Sequence, residues 1–130
     1  MNDHERGFLA FLAEPTKRRI ETLLGLVRSA AATCAACYTI QRASNPRFAR
    51  HLTGDEAFAE TVEAMLRTRG APSICYVVAA HSELDGREMP LRVALEAIIG
   101  MGDGAFVSCI PGRLGFYEYA SIKSSYLLSR

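Results

Sequence analysis

The stretch Ile74-Cys-Tyr-Val-Val-Ala79 is the clearest structural signal in this chain. It is a continuous apolar and β-branched run without polar alternation, which is typical of a strand covered on both faces. Helical periodicity dominates the residues before it, and strand-like runs separated by one amphipathic helix follow it. We therefore predict that 74–79 is the central strand of a sheet.

The residues before this strand predict helices. Apolar residues recur at i, i+3, i+4 and i+7 across 20–27, and a similar stripe runs across 58–66. Thr53 and Glu56 have the spacing of a capping box, which places the start of the second helix near them. Residues 30–46 are rich in alanine and cysteine and end in turn-forming residues, so a buried helix and a short extended piece both remain open.

The residues after the strand predict one helix and further strands. Pro90 can begin the helix, because its missing N–H is no loss in the first turn, and an apolar stripe follows it. Pro111-Gly112 has the chemistry of a hairpin turn. Strand-like runs make up the rest of the sequence: 105–110, 113–119 and the short segment 126–128.

The whole chain has the size and composition of a single domain, residues 1–130. Of its 130 residues, 49% are hydrophobic and 22% are charged, which is enough apolar material for a core without disulfides or a structural metal. We expect an α+β fold in which N-terminal helices from residues 1–70 pack on a small mixed β-sheet. The sheet would come from a β-α-β-β C-terminal half, residues 71–130.

The net charge of +1 argues against a protein that coats nucleic acid. The densest basic cluster, Lys17-Arg18-Arg19, is interpreted as a solvated helix face. The N-terminal residues lack the layout of a secretory signal, and no apolar run approaches the roughly 18 residues of a membrane helix. We therefore expect a cytoplasmic protein without a cofactor that acts on a partner protein or a small ligand. The sequence leaves open whether the protein forms homo-oligomers.

The polar stretch from His81 to Pro90 follows the predicted central strand, where loops commonly carry function. Turn formation and the start of a helix account for part of it: Asp85, Gly86, Glu88 and Pro90. They do not explain the others, which are His81, Ser82, Glu83 and Arg87. An acid–base site and a hard-cation site formed by Asp85 and Glu88 are the functional alternatives, and neither has the spacing of a recognised motif.

The turn Ser108-Cys-Ile-Pro-Gly-Arg113 places a thiol close to an arginine. Phosphate-binding nucleophile loops aim several backbone N–H groups at one anion, whereas Pro111 removes a donor here. We therefore expect Cys109 to be a small buried hydrophobic residue rather than a nucleophile. Arg113 is the residue of this turn that could hold an anion.

Cys34-Ala-Ala-Cys37 is the candidate redox or metal motif. A redox pair of this kind usually follows a strand and opens a helix, whereas alanines precede this one. A structural zinc site would show a second close pair, but Cys75 and Cys109 lie on separate predicted strands. We predict no metal site and leave open whether Cys34 and Cys37 have a redox or metal role.

Two stretches resemble the signature of a family of small uncharacterised bacterial proteins. They are Ser82–Leu91, with the pattern S-E-L-D-G-x-E-M-P-L, and Ser108–Leu114, with the pattern S-C-I-P-G-[RK]-L. The resemblance covers residues 46–130. It implies a bacterial cytoplasmic protein whose two loops lie close together, and it implies no activity.

Strand order suggests how the two loops could meet. If 74–79 and 105–110 are parallel neighbours joined by a right-handed helical crossover, their C-terminal ends lie at one edge of the sheet. Ligands usually bind at that edge in open α/β sheets. His81, Ser82 and Glu83 would then lie near Ser108 and Arg113.

Two functions follow from this arrangement, and both remain open. The first is a non-enzymatic binding or regulatory protein that recognises a partner protein or small ligand through the 81–90 and 108–113 loops. Its predicted binding residues are Ser82, Glu83, Asp85, Arg87, Ser108 and Arg113. The alternative is a small hydrolase, either a phosphoesterase or a nuclease. The candidate base is His81 or Glu83, and the anion-holding residue is Arg87 or Arg113.

Overall fold

A computed structural model describes residues 2–11, 47–79, 83–100, 104–118 and 125–130 of the chain. These residues form three helices: α1 (Asp3–Leu9), α2 (Ala59–Thr68) and α3 (Leu91–Ile98). They also form six strands: β1 (Ala49–Leu52), β2 (Ile74–Ala79), β3 (Arg87–Pro90), β4 (Ala105–Ile110), β5 (Leu114–Glu118) and β6 (Ser125–Ser129). The fold class is α+β, as the sequence predicts. The predicted helix over 20–27 and the open segment 30–46 lie outside the described residues.

The six strands form one sheet in the order β1-β6-β5-β4-β2-β3, and every neighbouring pair is antiparallel. The predicted mixed sheet is therefore wrong. The prediction missed β3, which returns the chain along β2 before α3 begins. Because this extra element reverses the chain once more, β4 enters antiparallel to β2. The C-terminal half is β-β-α-β-β-β rather than β-α-β-β.

Strand β2 confirms the predicted strand over 74–79, and all of its residues except Ile74 are buried. It pairs with β4 on one side and β3 on the other, so it lies next to the sheet edge rather than at the centre. β3 suits the edge, because Pro90 has no N–H to offer another strand and Arg87 and Glu88 are exposed charged residues.

The sheet has two faces with different coverings, since side chains alternate along each strand. Cys75 and Val77 belong to the core shared with the buried residues of α2 and α3, and we call this the α2–α3 face. Tyr76 and Phe106 lie on the opposite side, the α1 face. There the Phe8 ring of α1 packs edge-on against Phe106, with 4.9 Å between ring centroids.

The predicted helical first half contains a strand, because 49–52 pairs with β6 as β1. The capping box is partly confirmed. The Thr53 N–H donates to the Glu56 carboxylate at 3.0 Å, but the Thr53 carbonyl, not its hydroxyl, accepts from the Glu56 N–H. These bonds close a turn, and α2 begins only at Ala59.

The hairpin turn between β4 and β5 is confirmed. The Arg113 N–H donates to the Ile110 carbonyl at 3.0 Å, and Gly112 has a φ of +71°, which glycine adopts without strain. The predicted helix after Pro90 is also confirmed as α3, and its buried stripe is Leu91, Ala94, Leu95 and Ile98. No helix formed by the described residues is long and apolar enough to cross a membrane.

Candidate anion-binding site

The connection between β2 and β3 carries the first set of predicted site residues. Asp85 accepts a hydrogen bond from the Ala79 N–H at 3.1 Å, and the Gly86 N–H donates to the Val77 carbonyl at 2.8 Å. Asp85 therefore closes the turn, as its turn-forming role predicts. Glu83 is exposed, as is Arg87 at the start of β3. His81 and Ser82 lie outside the described residues.

The second predicted loop lies at the other end of the strands. Tyr76 of β2 is opposite Ser108 of β4, and Ala79 is opposite Ala105, so the end of β4 lies beside the start of β2. At about 3.3 Å per residue, the length of β4 separates the two loops by roughly 15 Å or more. The predicted convergence of the loops is wrong, because it assumed that β2 and β4 run parallel.

Ser108 lies within β4 and faces α1 rather than the turn. Its Oγ atom is 2.7 Å from His4 Nδ1, and the His4 ring stacks on Tyr76 with ring centroids 5.3 Å apart. The Tyr76 hydroxyl donates to Glu5 Oε1 at 2.7 Å. Two hydrogen-bonded pairs therefore attach α1 to the sheet.

This α1 cluster, formed by His4, Glu5, Tyr76 and Ser108, supports structure rather than nucleophilic chemistry. Ser108 is only 1% exposed and Glu5 only 5% exposed. A serine nucleophile must be reached by its substrate as well as by its base. Buried polar groups that are paired across two elements instead specify how those elements pack.

Arg113 is one of the two candidate anion-holding residues that the sequence predicts. In the structure it lines an open pocket of about 660 Å³. We call it the arginine pocket. Its lining residues are Arg47, Phe48, Pro111, Gly112, Arg113 and Arg130. Three arginines therefore line a pocket whose volume is within the range of about 300–1,000 Å³ that is usual for small-molecule sites.

Pairing of three strands brings these arginines together. The Ser129 N–H donates to the Phe48 carbonyl at 2.9 Å, which continues the β1–β6 ladder towards Arg47. The Arg130 N–H donates to the Arg113 carbonyl at 2.8 Å, which continues the β5–β6 ladder into the β4–β5 turn. Backbone hydrogen bonds thus fix the backbone positions of the three arginines relative to one another.

Phe48 orients two of the three guanidinium groups. The guanidinium carbon of Arg130 is 5.4 Å from the Phe48 ring centroid, and that of Arg47 is 6.0 Å away. A cation over an aromatic face within about 6 Å is attracted by the ring. Arg130 also donates to the Gly112 carbonyl at 3.4 Å. The Arg47 and Arg130 side chains are therefore partly ordered before a ligand binds, which lowers the entropy cost of binding.

A second pocket, of about 370 Å³, adjoins the first because both are lined by Arg47 and Phe48. Its further lining residues are Ala49, Arg50, Arg69, Leu127 and Ser129. We call it the side pocket. No aspartate or glutamate is among the described residues that line either pocket.

Glu56 is an acidic residue that pairs with Arg50 of the side pocket. Its carboxylate lies 2.6 Å from the Arg50 guanidinium. The hydrogen bond from the Thr53 N–H, followed by the charge of Arg50, lowers the pKa of Glu56 below its ordinary value. Glu56 is therefore ionised at neutral pH and offsets part of the charge of Arg50.

A buried carboxylate lies at the end of the sheet remote from the arginine pocket. Glu118 is only 2% exposed, and both of its oxygens accept from the Gly100 N–H, at 2.9 and 3.2 Å. Burial raises the pKa of Glu118, and the Gly100 N–H partly opposes this. Asp85 and Glu83 lie towards the same end, because Ala79 and Glu118 both pair with the stretch around Ala105.

The two described cysteines are buried thiols on the α2–α3 face. Burial raises the pKa of Cys75 to about 11 and that of Cys109 to about 12. Because the thiolate is the nucleophile, neither residue is reactive at neutral pH. This agrees with the interpretation of Cys109 as a small hydrophobic residue. Cys34 and Cys37 lie outside the described residues.

Sequence reasoning missed Arg47, Phe48 and Arg130 as partners of Arg113. These residues are far apart in the chain and carry no local motif, so only knowledge of the β1–β6–β5 pairing could have connected them. Compared with protein-family models, with curated proteins and with solved structures, the chain shows no match. Function is therefore inferred from geometry and chemistry.

Proposed function

We propose that this protein is a non-enzymatic binding protein whose ligand is an anion held in the arginine pocket. The observation that carries the proposal is the meeting of Arg47, Arg113 and Arg130 around one pocket with no acidic residue among its described lining. Guanidinium groups bind carboxylates and phosphates with paired, charge-assisted hydrogen bonds. A bound anion would also reduce the mutual repulsion of the three positive charges.

The hydrolase alternative requires a base beside an anion-holding arginine. Glu83 follows the end of β2, whereas Arg113 follows the end of the antiparallel strand β4. Arg87 of β3 pairs with Val77 of β2, and Val77 pairs with Val107 of β4. Arg87 is therefore level with a residue that lies three positions before the end of β4, and not with Arg113. Glu83 and Arg87 belong to the same β2–β3 hairpin, but neither is among the described residues that line the arginine pocket or the side pocket. Binding without catalysis is therefore the proposal that the residues of the two pockets favour.

Calorimetric titration with inorganic phosphate tests the proposal. We expect saturable binding to the wild type and a loss of about tenfold or more in Arg113→Ala, since a charge-assisted hydrogen bond contributes about 1.5–3 kcal/mol. Arg113→Lys should recover only part of the loss, because lysine cannot offer a planar pair of donors.

Arg87→Ala is the matched control, because it removes another exposed arginine, from β3 at the far edge of the sheet. It should bind phosphate as the wild type does. Equal affinities of the wild type and Arg113→Ala would refute the proposal, and so would the same loss in Arg87→Ala.

A further inference from the structure

We propose that the ligand is a small molecule with a chain of at least two linked phosphate groups, which lies across the arginine pocket and the side pocket together. This inference rests on the proposed function and makes it more specific. It follows from the shared wall of the two pockets and from the number of guanidinium groups along them.

The charge along the two pockets exceeds what one phosphate group would balance. Five arginines line them: Arg47, Arg50, Arg69, Arg113 and Arg130. Arg50 has a salt bridge to Glu56 at 2.6 Å. A phosphate monoester carries about two negative charges at neutral pH, which is fewer than the number of arginines along the two pockets.

The arginines are distributed along two adjoining pockets rather than grouped around one point. Arg113 and Arg130 line only the arginine pocket, and Arg50 and Arg69 line only the side pocket. Arg47 lines both, so it lies between the two groups. A single tetrahedral anion beside Arg113 would leave Arg69 without a part in binding, whereas a linked phosphate chain presents anionic oxygens to both ends.

The shared aromatic residue favours recognition of phosphate over recognition of a base. Phe48 is only partly exposed, and the guanidinium groups of Arg47 and Arg130 lie over its ring. Bases bound by stacking need a free aromatic face. We therefore expect inorganic tripolyphosphate and ATP to bind with similar affinity, because the phosphate chain supplies the contacts in both.

Arg69 provides the variant that separates this inference from the proposed function. It is exposed at the end of α2, and its guanidinium donates to the Met65 carbonyl at 3.4 Å, so its removal leaves the core intact. Arg69→Ala removes a guanidinium from the side pocket alone. Arg69→Lys retains the charge and checks that charge, rather than packing, is the cause.

The experiment is a calorimetric titration of the whole chain, in metal-free buffer, with orthophosphate, tripolyphosphate, ATP and a short oligothymidylate. We expect tripolyphosphate to bind about tenfold or more tightly than orthophosphate. Arg69→Ala should remove most of that advantage without changing orthophosphate affinity, Arg69→Lys should retain part of it, and Arg113→Ala should weaken both ligands. Arg87→Ala should change neither.

The outcomes separate the two proposals. Equal affinity for orthophosphate and tripolyphosphate, with both dependent on Arg113, overturns the phosphate-chain inference and leaves the anion-binding function standing. Binding of neither ligand overturns both. ATP binding about tenfold or more tighter than tripolyphosphate would assign the pocket to a nucleoside. Oligothymidylate binding tighter than tripolyphosphate would assign it to nucleic acid. Either result overturns the inference.

Discussion

Gly7 of α1 lies directly against Gly112 of the β4–β5 turn. A Cβ atom placed on Gly7 would overlap the backbone nitrogen of Gly112 and come 2.7 Å from the Pro111 carbonyl carbon. The helix and the turn thus touch through their backbones, without side chains between them. Gly112 and Pro111 also line the arginine pocket, so α1 supports one of its walls.

Gly7→Ala should destabilise the protein, although alanine is the better helix former. Intrinsic propensity favours alanine over glycine by about 1 kcal/mol in a helix interior. The added methyl group must displace the turn, and overpacking of this kind costs about 1–3 kcal/mol. We expect the free energy of unfolding in urea to fall, and phosphate affinity to fall with it because Arg113 follows Gly112.

Gly54→Ala is the control for this substitution, since a Cβ atom there would have no heavy atom within 4 Å. Its stability should lie within about 0.5 kcal/mol of the wild type. If the Gly7→Ala protein is more stable than the wild type, the helix propensity of alanine outweighs the clash with Gly112, and the β4–β5 turn can move at little energetic cost.

Tyr76 and Glu5 should show energetic coupling across the α1 face. Tyr76→Phe removes the hydroxyl that donates to the buried Glu5 carboxylate at 2.7 Å, and loss of such a partner costs about 1–3 kcal/mol. A double-mutant cycle with Glu5→Ala, which removes the acceptor, measured by urea unfolding, should give a coupling energy of about 0.5 kcal/mol or more. Strict additivity of the two substitutions would mean that this bond does not contribute to holding α1.

Glu118 should make the protein less stable as pH rises. Burial raises its pKa in the folded state above the unfolded value of about 4.5, so the folded protein binds this proton more tightly. The resulting stability is complete below the unfolded pKa and is lost as pH rises through the raised pKa of the folded state. Glu118→Gln should reduce this decline, because the amide oxygen can still accept from the Gly100 N–H.

Urea unfolding at a series of pH values from 4 upwards measures this difference. The exposed Glu88→Gln serves as the control and should keep the wild-type pH dependence. Parallel stability curves for the wild type and Glu118→Gln would show that Glu118 does not titrate differently in the two states.

Cys75 and Cys109 should resist alkylation until the protein unfolds. A pKa of about 11 for Cys75, against an ordinary value of 9.0, lowers its thiolate fraction at pH 8 by about 100-fold, and Cys109 lies higher still. Iodoacetamide treatment followed by peptide mass mapping should show both residues modified at least about 100-fold more slowly than free cysteine. Guanidinium chloride should restore ordinary rates. Rapid modification of Cys109 in the native protein would contradict its burial.

Elements with strong local signals could be predicted from the sequence. Strand β2 is a continuous apolar run, α3 has a complete apolar stripe, and Pro111-Gly112 has turn chemistry that needs no distant partner. The strands β1 and β3 could not be predicted in the same way. Each has only four residues, of which at most one is buried, and each becomes a strand because a neighbouring strand supplies its hydrogen bonds.

Missing β3 also determined the error at the site. Without β3, the sequence predicts that β2 and β4 are parallel and that the polar loop after β2 lies beside Arg113. The arginine pocket instead depends on Arg47 and Arg130, whose relation to Arg113 is set by non-local strand pairing. Arg113 as an anion-holding residue remains a prediction that the titrations above test.

The pairing of β1 with β6 joins residue 49 to residue 128 and so closes a loop that contains most of the chain. Contacts between such distant positions are entropically costly and slow to form in folding. Arg47 and Arg130 come together only when that loop is closed, so a partly folded chain lacks the pocket. A ligand that binds this pocket therefore binds the folded state alone, and its concentration sets part of the protein's stability. In this chain, the ligand would stabilise the pairing of β6 with its two neighbours, β1 and β5.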